Sequence, residues 1–155
     1  MISGAKYAHT NLIARNWREL LRFYVEVFGC EPMPPERDAQ GAWLDRATGL
    51  NGARIQGMHL RLPGGGPDGP TLEVFSYDET VAGPLAMPNH AGYGHVAFSV
   101  EDVSDAVREV LDHGGTLLGR VATTTVTGVG DLQLIYLRDP EGNIIELQAW
   151  RNLTH

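Results

Sequence analysis

Cysteine is nearly missing from this chain. Cys30 is the only one among 155 residues, so no disulfide can form within the chain, and the composition fits a reducing cytosol. No apolar run approaches the roughly 20 residues that a membrane-spanning helix needs. No positively charged start leads into an apolar stretch, so no secretory leader is expected. Basic clusters are missing too. Lys and Arg number 12 against 19 Asp and Glu, for a formal net charge of −7. An acidic chain without a basic run lacks the means to neutralise phosphates, which excludes the usual nucleic-acid binders. These absences predict a cytoplasmic protein with neither a membrane nor a nucleic-acid partner. Its 43% apolar and 20% charged residues are ordinary globular composition. The length suits one compact domain, or two small halves fused into one body. Cys30, just after Gly29, reads as a small buried apolar residue rather than a reactive thiol.

Along the chain, a strand is expected from Lys6 to Ile13. Asn16 then caps a helix whose Trp17, Leu20, Leu21, Tyr24 and Phe28 recur at helical spacing, and Gly29 ends it. Strands are predicted at Ala42–Ala47, Ala53–Leu62 and Thr71–Tyr77, with the Gly/Pro-rich stretch Pro63–Pro70 as a hairpin loop. Asp78–Ala91 reads as a linker. The pattern then restarts. Tyr93–Val100 is a strand, and Asp102 caps a helix carrying Val103, Ala106, Val107, Val110 and Leu111, which Gly114-Gly115 stops. Strands follow near Thr116–Leu118, Asp131–Arg138 and Asn143–Trp150, with Asp139–Asn143 as a turn between the last two. The order β-α-β-β-β thus occurs twice, in halves of about 5–80 and 92–150. Ala8-His9-Thr10-Asn11-Leu12 opens one half, and Gly94-His95-Val96-Ala97-Phe98 opens the other, which makes the repeat an architectural signal.

Strand side chains alternate between faces. Val96, Phe98 and Val100 share one face, and His95 lies opposite. Leu72 and Val74 oppose Glu73, and Ile145 and Leu147 oppose Glu146. His9 lies away from Ala8 and Leu12. Each half therefore offers one His on its first strand and one Glu on its last. Carboxylates on largely apolar strands are costly unless paired or metal-bound. Two imidazoles with two carboxylates suit one divalent ion, be it Zn²⁺, Ni²⁺, Co²⁺, Mn²⁺ or Fe²⁺. His59, His90, His113 and His155 read as surface or loop residues, with His59 set apart because its strand could line a pocket. Gly64-Gly65-Gly66 lacks the Lys-Ser/Thr end of a phosphate loop.

On these residues the chain resembles the vicinal oxygen chelate superfamily, the glyoxalase/bleomycin-resistance/dioxygenase group. The resemblance is carried by Ala8–Leu12, by Trp17–Gly29, by Gly94–Asp102 and by Leu137–Leu147 with its Asp139-Pro140-Glu141-Gly142-Asn143 turn. It implies an α+β fold in which two paired βαβββ modules form a cupped mixed sheet around a metal. It also implies a homodimer and a small-molecule substrate that binds through adjacent oxygens. The ligand set His9, Glu73, His95 and Glu146 looks like that of glyoxalase I. Methylmalonyl-CoA epimerase is similar but typically has Gln where Glu73 stands.

Both relatives imply a metal-dependent lyase or isomerase in which the ion stabilises an enediolate or enolate while a carboxylate, Glu146 or Glu73, moves a proton. Arg54, Gln56, Arg61, Gln133 and Tyr136 are candidate substrate contacts. One alternative is an Fe²⁺-dependent extradiol-type dioxygenase, which would use three ligands. The other is a non-enzymatic resistance protein that sequesters a drug or metabolite against aromatics such as Trp43, Phe75 and Tyr93.

Overall fold

The computed structural model describes residues 1–152, so the reading of His155 lies outside the described residues. The fold is α+β, with three helices and nine strands in two mixed sheets among those residues. The chain divides into two compact units, Met1–Ala82 and a second from Gly83 onward.

The first unit runs β1 (His9–Ile13), α1 (Trp17–Phe28), β2 (Glu31–Gln40), α2 (Ala42–Thr48), β3 (Arg54–Arg61) and β4 (Thr71–Tyr77). Its sheet has the order β1-β4-β3-β2, with β1 parallel to β4 and the other neighbours antiparallel. The Asn16 side chain accepts from the amide of Glu19 at the start of α1, and Gly29 ends the helix at φ 66°. Trp17, Leu20, Phe23 and Tyr24 are buried. They share the core with Leu60, Leu72 and Val74, all fully buried on the sheet face toward α1. Each such side chain contributes about 1.5–3 kcal/mol on leaving water. That packing leaves the odd-numbered residues of β3 and β4 on the other face.

Two expectations are corrected in this unit. Ala42–Ala47 is not a strand: Ala42–Thr48 is a short helix between Gly41 and Gly49. Leu44 is its only buried residue, and the Asp45 carboxylate accepts from the amides of Gly52 and Ala53. A helix that needs just one apolar anchor has too little periodicity to be told from a strand. The second strand lies earlier, at Glu31–Gln40, where Pro32, Pro34 and Pro35 argue against strand. It is tolerated because β2 is the sheet edge and has one neighbour, with a register shift between Met33 and Arg37 around the prolines.

The second unit runs β5 (Val96–Ser99), α3 (Val103–Asp112), β6 (Thr116–Leu117), β7 (Ala122–Val126), β8 (Gly130–Arg138) and β9 (Ile144–Arg151). The sheet order is β5-β9-β8-β6, and β7 also pairs with β8. The Asp102 side chain caps α3 by accepting from the amide of Asp105. In the turn before β9, the buried Asp139 carboxylate accepts from the amides of Glu141 and Asn143. Strand β7 adds to the predicted order; its Thr123, Thr124 and Thr125 carry no apolar alternation. The first strands of both units are shorter than expected. Tyr7 precedes β1, and Tyr93 and His95 precede β5.

Candidate functional site

The two carboxylates occupy matching positions. In the first unit β4 is an inner strand, flanked by β1 and β3, and Glu73 pairs in register with Asn11 on one side and His59 on the other. In the second unit β9 is an inner strand, and Glu146 pairs with Ala97 and Tyr136. His9 lies two residues before Asn11, and His95 lies two residues before Ala97. The repeat seen in the sequence is therefore a repeat of register.

The side chains follow that register. His9 Nε2 is 3.2 Å from Glu73 Oε2, and His95 Nε2 is 2.9 Å from Glu146 Oε2. The carboxylates are the sheltered partners: the Glu73 and Glu146 side chains are 12% and 11% exposed, against 43% for His9 and 36% for His95. Glu73 has two more donors. Asn11 Nδ2 donates to its Oε2 at 3.0 Å, and His59 Nε2 lies 2.9 Å from its Oε1. His59 Nδ1 lies 3.1 Å from Thr71 Oγ1. A carboxylate only accepts, so His59 Nε2 carries the proton, Nδ1 accepts, and the Thr71 hydroxyl donates. Burial holds the His59 pKa below the ordinary imidazole value, against the pull of Glu73, which agrees with a neutral ring. Around Glu146 the matching neighbour is Tyr136. Its phenol pKa is raised first by burial, then by the Glu146 charge and a hydrogen bond to it. The Tyr136 ring also lies 5.0 Å from that of His95, centroid to centroid.

Asn11 is the residue that sequence reading passed over; His59 is set apart there for its strand, but without its partner Glu73. His59 shares strand parity with Arg61, but only the β3–β4 register shows that it meets Glu73. The other predicted contacts divide. Tyr136 lies at Glu146, and Arg61 lies on the same face as His59. Arg54 and Gln56 lie on the opposite parity and both donate to Asp38, which Arg54 grips through Nε at 2.9 Å and Nη2 at 2.7 Å. Gln133 shares the parity of the buried Ile135 and Leu137 rather than that of Tyr136. Phe75 is buried with its ring over Gly57, whereas Trp43 and Tyr93 are exposed.

Among the described residues no group of three or more His, Cys, Asp or Glu side chains forms a ready metal cage; the four ligand candidates occur as two His–Glu pairs. The donor chemistry of each pair fits a divalent ion. Metal–N and metal–O bonds of about 2.0–2.2 Å place neighbouring ligand atoms roughly 3 Å apart in an octahedral shell and a little further in a tetrahedral one. The 2.9 and 3.2 Å separations fall in that range, so the two donors of a pair can stand as neighbours around an ion once the imidazole turns from the carboxylate toward it.

A mixed α+β chain whose two units each open β-α-β, with a His–Glu pair at the matching position of each, is the arrangement that known proteins can be set beside. The model of the Glyoxalase/Bleomycin resistance protein/Dioxygenase superfamily matches residues 6–147, and the chain belongs to that superfamily. Its fold is similar to that of a glyoxalase family protein from Bacillus cereus, at 22% identity over 97% of this chain and 99% of that one, with a TM-score of 0.79. A glyoxalase family protein from Enterococcus faecalis is similar at 22% identity over 95% and 99% of the two chains, with a TM-score of 0.62. The glyoxylase/bleomycin resistance protein/dioxygenase domain from Frankia sp. EAN1pec is 18% identical over 100% and 97%, with a TM-score of 0.58. No curated protein matches the chain. Among the described residues no helix is long and apolar enough to cross a membrane.

Proposed function

We propose that this chain is a metal-dependent lyase or isomerase, of the glyoxalase I or methylmalonyl-CoA epimerase kind, acting on a small molecule with adjacent oxygens. In this reading His9, Glu73, His95 and Glu146 hold one divalent ion in a cytosolic homodimer. The observation that supports it is the matched placement: each unit sets an imidazole, His9 or His95, two residues before the position paired with a sheltered carboxylate, and that imidazole contacts it. A protein that only sequesters a ligand has no need of two such pairs. When bound, the ion supplies Lewis-acid stabilisation of negative charge on a carbonyl oxygen.

The protein's own residues divide the remaining work. Glu73 is tied by Asn11 and His59 as well as His9, which suits a carboxylate that stays in place. Glu146 has no counterpart of Asn11, since Ala97 stands there. Glu146 is therefore the carboxylate that moves the proton. It takes the proton from the carbon next to the carbonyl as that C–H bond breaks, and the electron pair passes to the carbonyl oxygen. Return of the proton to the same carbon gives epimerisation, and return to the neighbouring carbon gives isomerisation.

The test is the metal content of the purified protein beside that of His95→Ala. About one divalent ion per chain, lost in the variant, supports the reading and directs assays to thioester epimerisation and hemithioacetal isomerisation. No metal, with no affinity gained on adding Zn²⁺, Ni²⁺, Co²⁺ or Mn²⁺, would overturn it in favour of a binding protein. Glu146→Gln that kept both metal and full turnover would remove Glu146 as the base.

A further inference from the structure

Arg61 stands at the end of β3, on the face that carries His59 and next to the Gly/Pro-rich loop. Across the β2–β3 ladder its Nη1 donates to Glu31 Oε2 at 2.6 Å. Its Nε is buried and has no acceptor among the described residues. The two side chains border a cavity of about 320 Å³, walled by Gly29 at the end of α1 and by Pro63, Gly64 and Gly66 of the loop. That volume is at the lower end of the range for small-molecule sites, roughly 300–1,000 Å³.

We propose that this cavity binds the carboxylate of a small organic acid, with Arg61 as its anchor and Glu31 as the internal group it displaces. Three observations converge on this. A carboxylate already makes the contact, so the guanidinium is set for that chemistry. Glu31 is 67% exposed, and an exposed ion pair of this kind holds weakly. The Nε–Nη2 edge of a guanidinium is the one that forms side-on bidentate pairs with carboxylates, yet Glu31 engages only Nη1. When Glu31 leaves, the guanidinium is free to turn that edge into the cavity, and the unpaired N–H gains an acceptor. Gly64 and Gly66, at φ 78° and 67°, present backbone with no Cβ on the loop side, which leaves space for an organic acid to lie along it. None of the four proposed ligands lines the cavity, so the site does not depend on a metal.

The experiment is an amide and guanidinium NMR titration of chelator-treated protein with succinate, with inorganic phosphate, and with sodium chloride at matched ionic strength. Succinate is expected to give saturable shifts at the Arg61 Nε–H and at the Gly64 and Gly66 amides. Arg61→Gln should abolish the loop shifts. Glu31→Gln should tighten succinate binding about two- to fivefold, because the weak internal competitor is gone. Absence of saturable shifts in both the wild type and Glu31→Gln would overturn the site. Unchanged shifts in Arg61→Gln would do the same. Phosphate binding as tightly as succinate would overturn the carboxylate assignment. If Arg61→Gln fails to fold, Glu31→Gln decides alone, since failure to tighten contradicts displacement.

Discussion

His59→Leu removes one side chain from around Glu73 without touching a proposed ligand. In the native arrangement Thr71 donates to His59 Nδ1, and His59 Nε2 donates to Glu73 Oε1 at 2.9 Å. Leucine fills similar volume but leaves Oε1 of a side chain only 12% exposed without that donor. Hydrogen bonds to charged groups are worth about 1.5–3 kcal/mol, equivalent to roughly 10- to 150-fold in an equilibrium constant. Loss of a group that orients a metal-binding side chain typically costs about 10–100-fold in affinity. The two ranges overlap, so His59→Leu is expected to weaken binding of Zn²⁺ or Co²⁺ by about 10–100-fold. His59→Gln, whose amide N–H₂ can stand near the position of Nε2–H, should recover most of that loss. Competition against a chromogenic chelator measures both variants, and the visible spectrum of the Co²⁺ form reports whether the donor set has changed. If wild type takes up one ion and His59→Leu binds it within twofold, Glu73 does not depend on His59 and the reasoning fails. If wild type takes up none, the metal reading itself fails, and the two failures are distinct.

Burial pushes the Cys30 thiol up to about 11 from 9.0, so at pH 8 its thiolate fraction is about 100-fold lower than that of an unperturbed thiol. Alkylation by iodoacetamide should be slower by at least that factor in the native protein than in urea; comparable rates would contradict the burial. Asp38, gripped by Arg54 and Gln56, has its pKa lowered from 3.8 to about 2. A depressed folded pKa stabilises above the unfolded value and is lost as pH falls through the folded one. The gap in urea midpoint between wild type and Asp38→Asn should therefore shrink between about pH 4 and pH 2, whereas a constant gap would assign Asp38 no such role. Gly57→Ala would place a Cβ 1.8 Å from the Phe75 ring and 2.2 Å from the Val74 carbonyl oxygen. The ring can turn, but the carbonyl belongs to the neighbouring strand, so urea unfolding should show a loss of about 3 kcal/mol, and a loss under 1 kcal/mol would contradict that close approach.

The sequence was legible wherever periodicity and caps agree. Asn16 and Gly29 around α1, Asp102 before α3 and Thr71–Tyr77 as β4 were all readable because side-chain chemistry and apolar spacing point the same way there. Strand parity alone placed Glu73 and Glu146 opposite the buried Leu72, Val74, Ile145 and Leu147. Reading failed where one principle overrode another. The prolines of Glu31–Gln40 deny an inner strand but permit an edge, and edge status is a fact of topology that no local window contains. His59 illustrates the deeper limit: parity gives the face, but which residue sits across from Glu73 depends on register, set by pairing across a loop of Gly and Pro. The candidate substrate contacts meet the same limit. Arg54 and Gln56 carry the right chemistry for a pocket, yet their parity turns them toward Asp38.

In the proposed function two carboxylates at equivalent positions do different work, and their surroundings supply the difference. Glu73 and Glu146 share strand position, burial and a partner His, and they differ in what the flanking strands supply. Asn11 and His59 surround one; Ala97 and Tyr136 surround the other. If the missing donor is what leaves Glu146 able to carry a proton, Ala97→Asn should blunt it by copying Asn11. Ala97 is exposed, so the larger side chain fits without disturbing the core. A new hydrogen bond to the carboxylate is worth about 1.5–3 kcal/mol and lowers its basicity, so proton abstraction should slow at least tenfold while metal content is unchanged. Exchange of the substrate's carbon-bound proton in D₂O measures that step directly. Unimpaired exchange with full metal loading would show that the two carboxylates do not differ through their neighbours, and would return Glu73 as an equal candidate for the base.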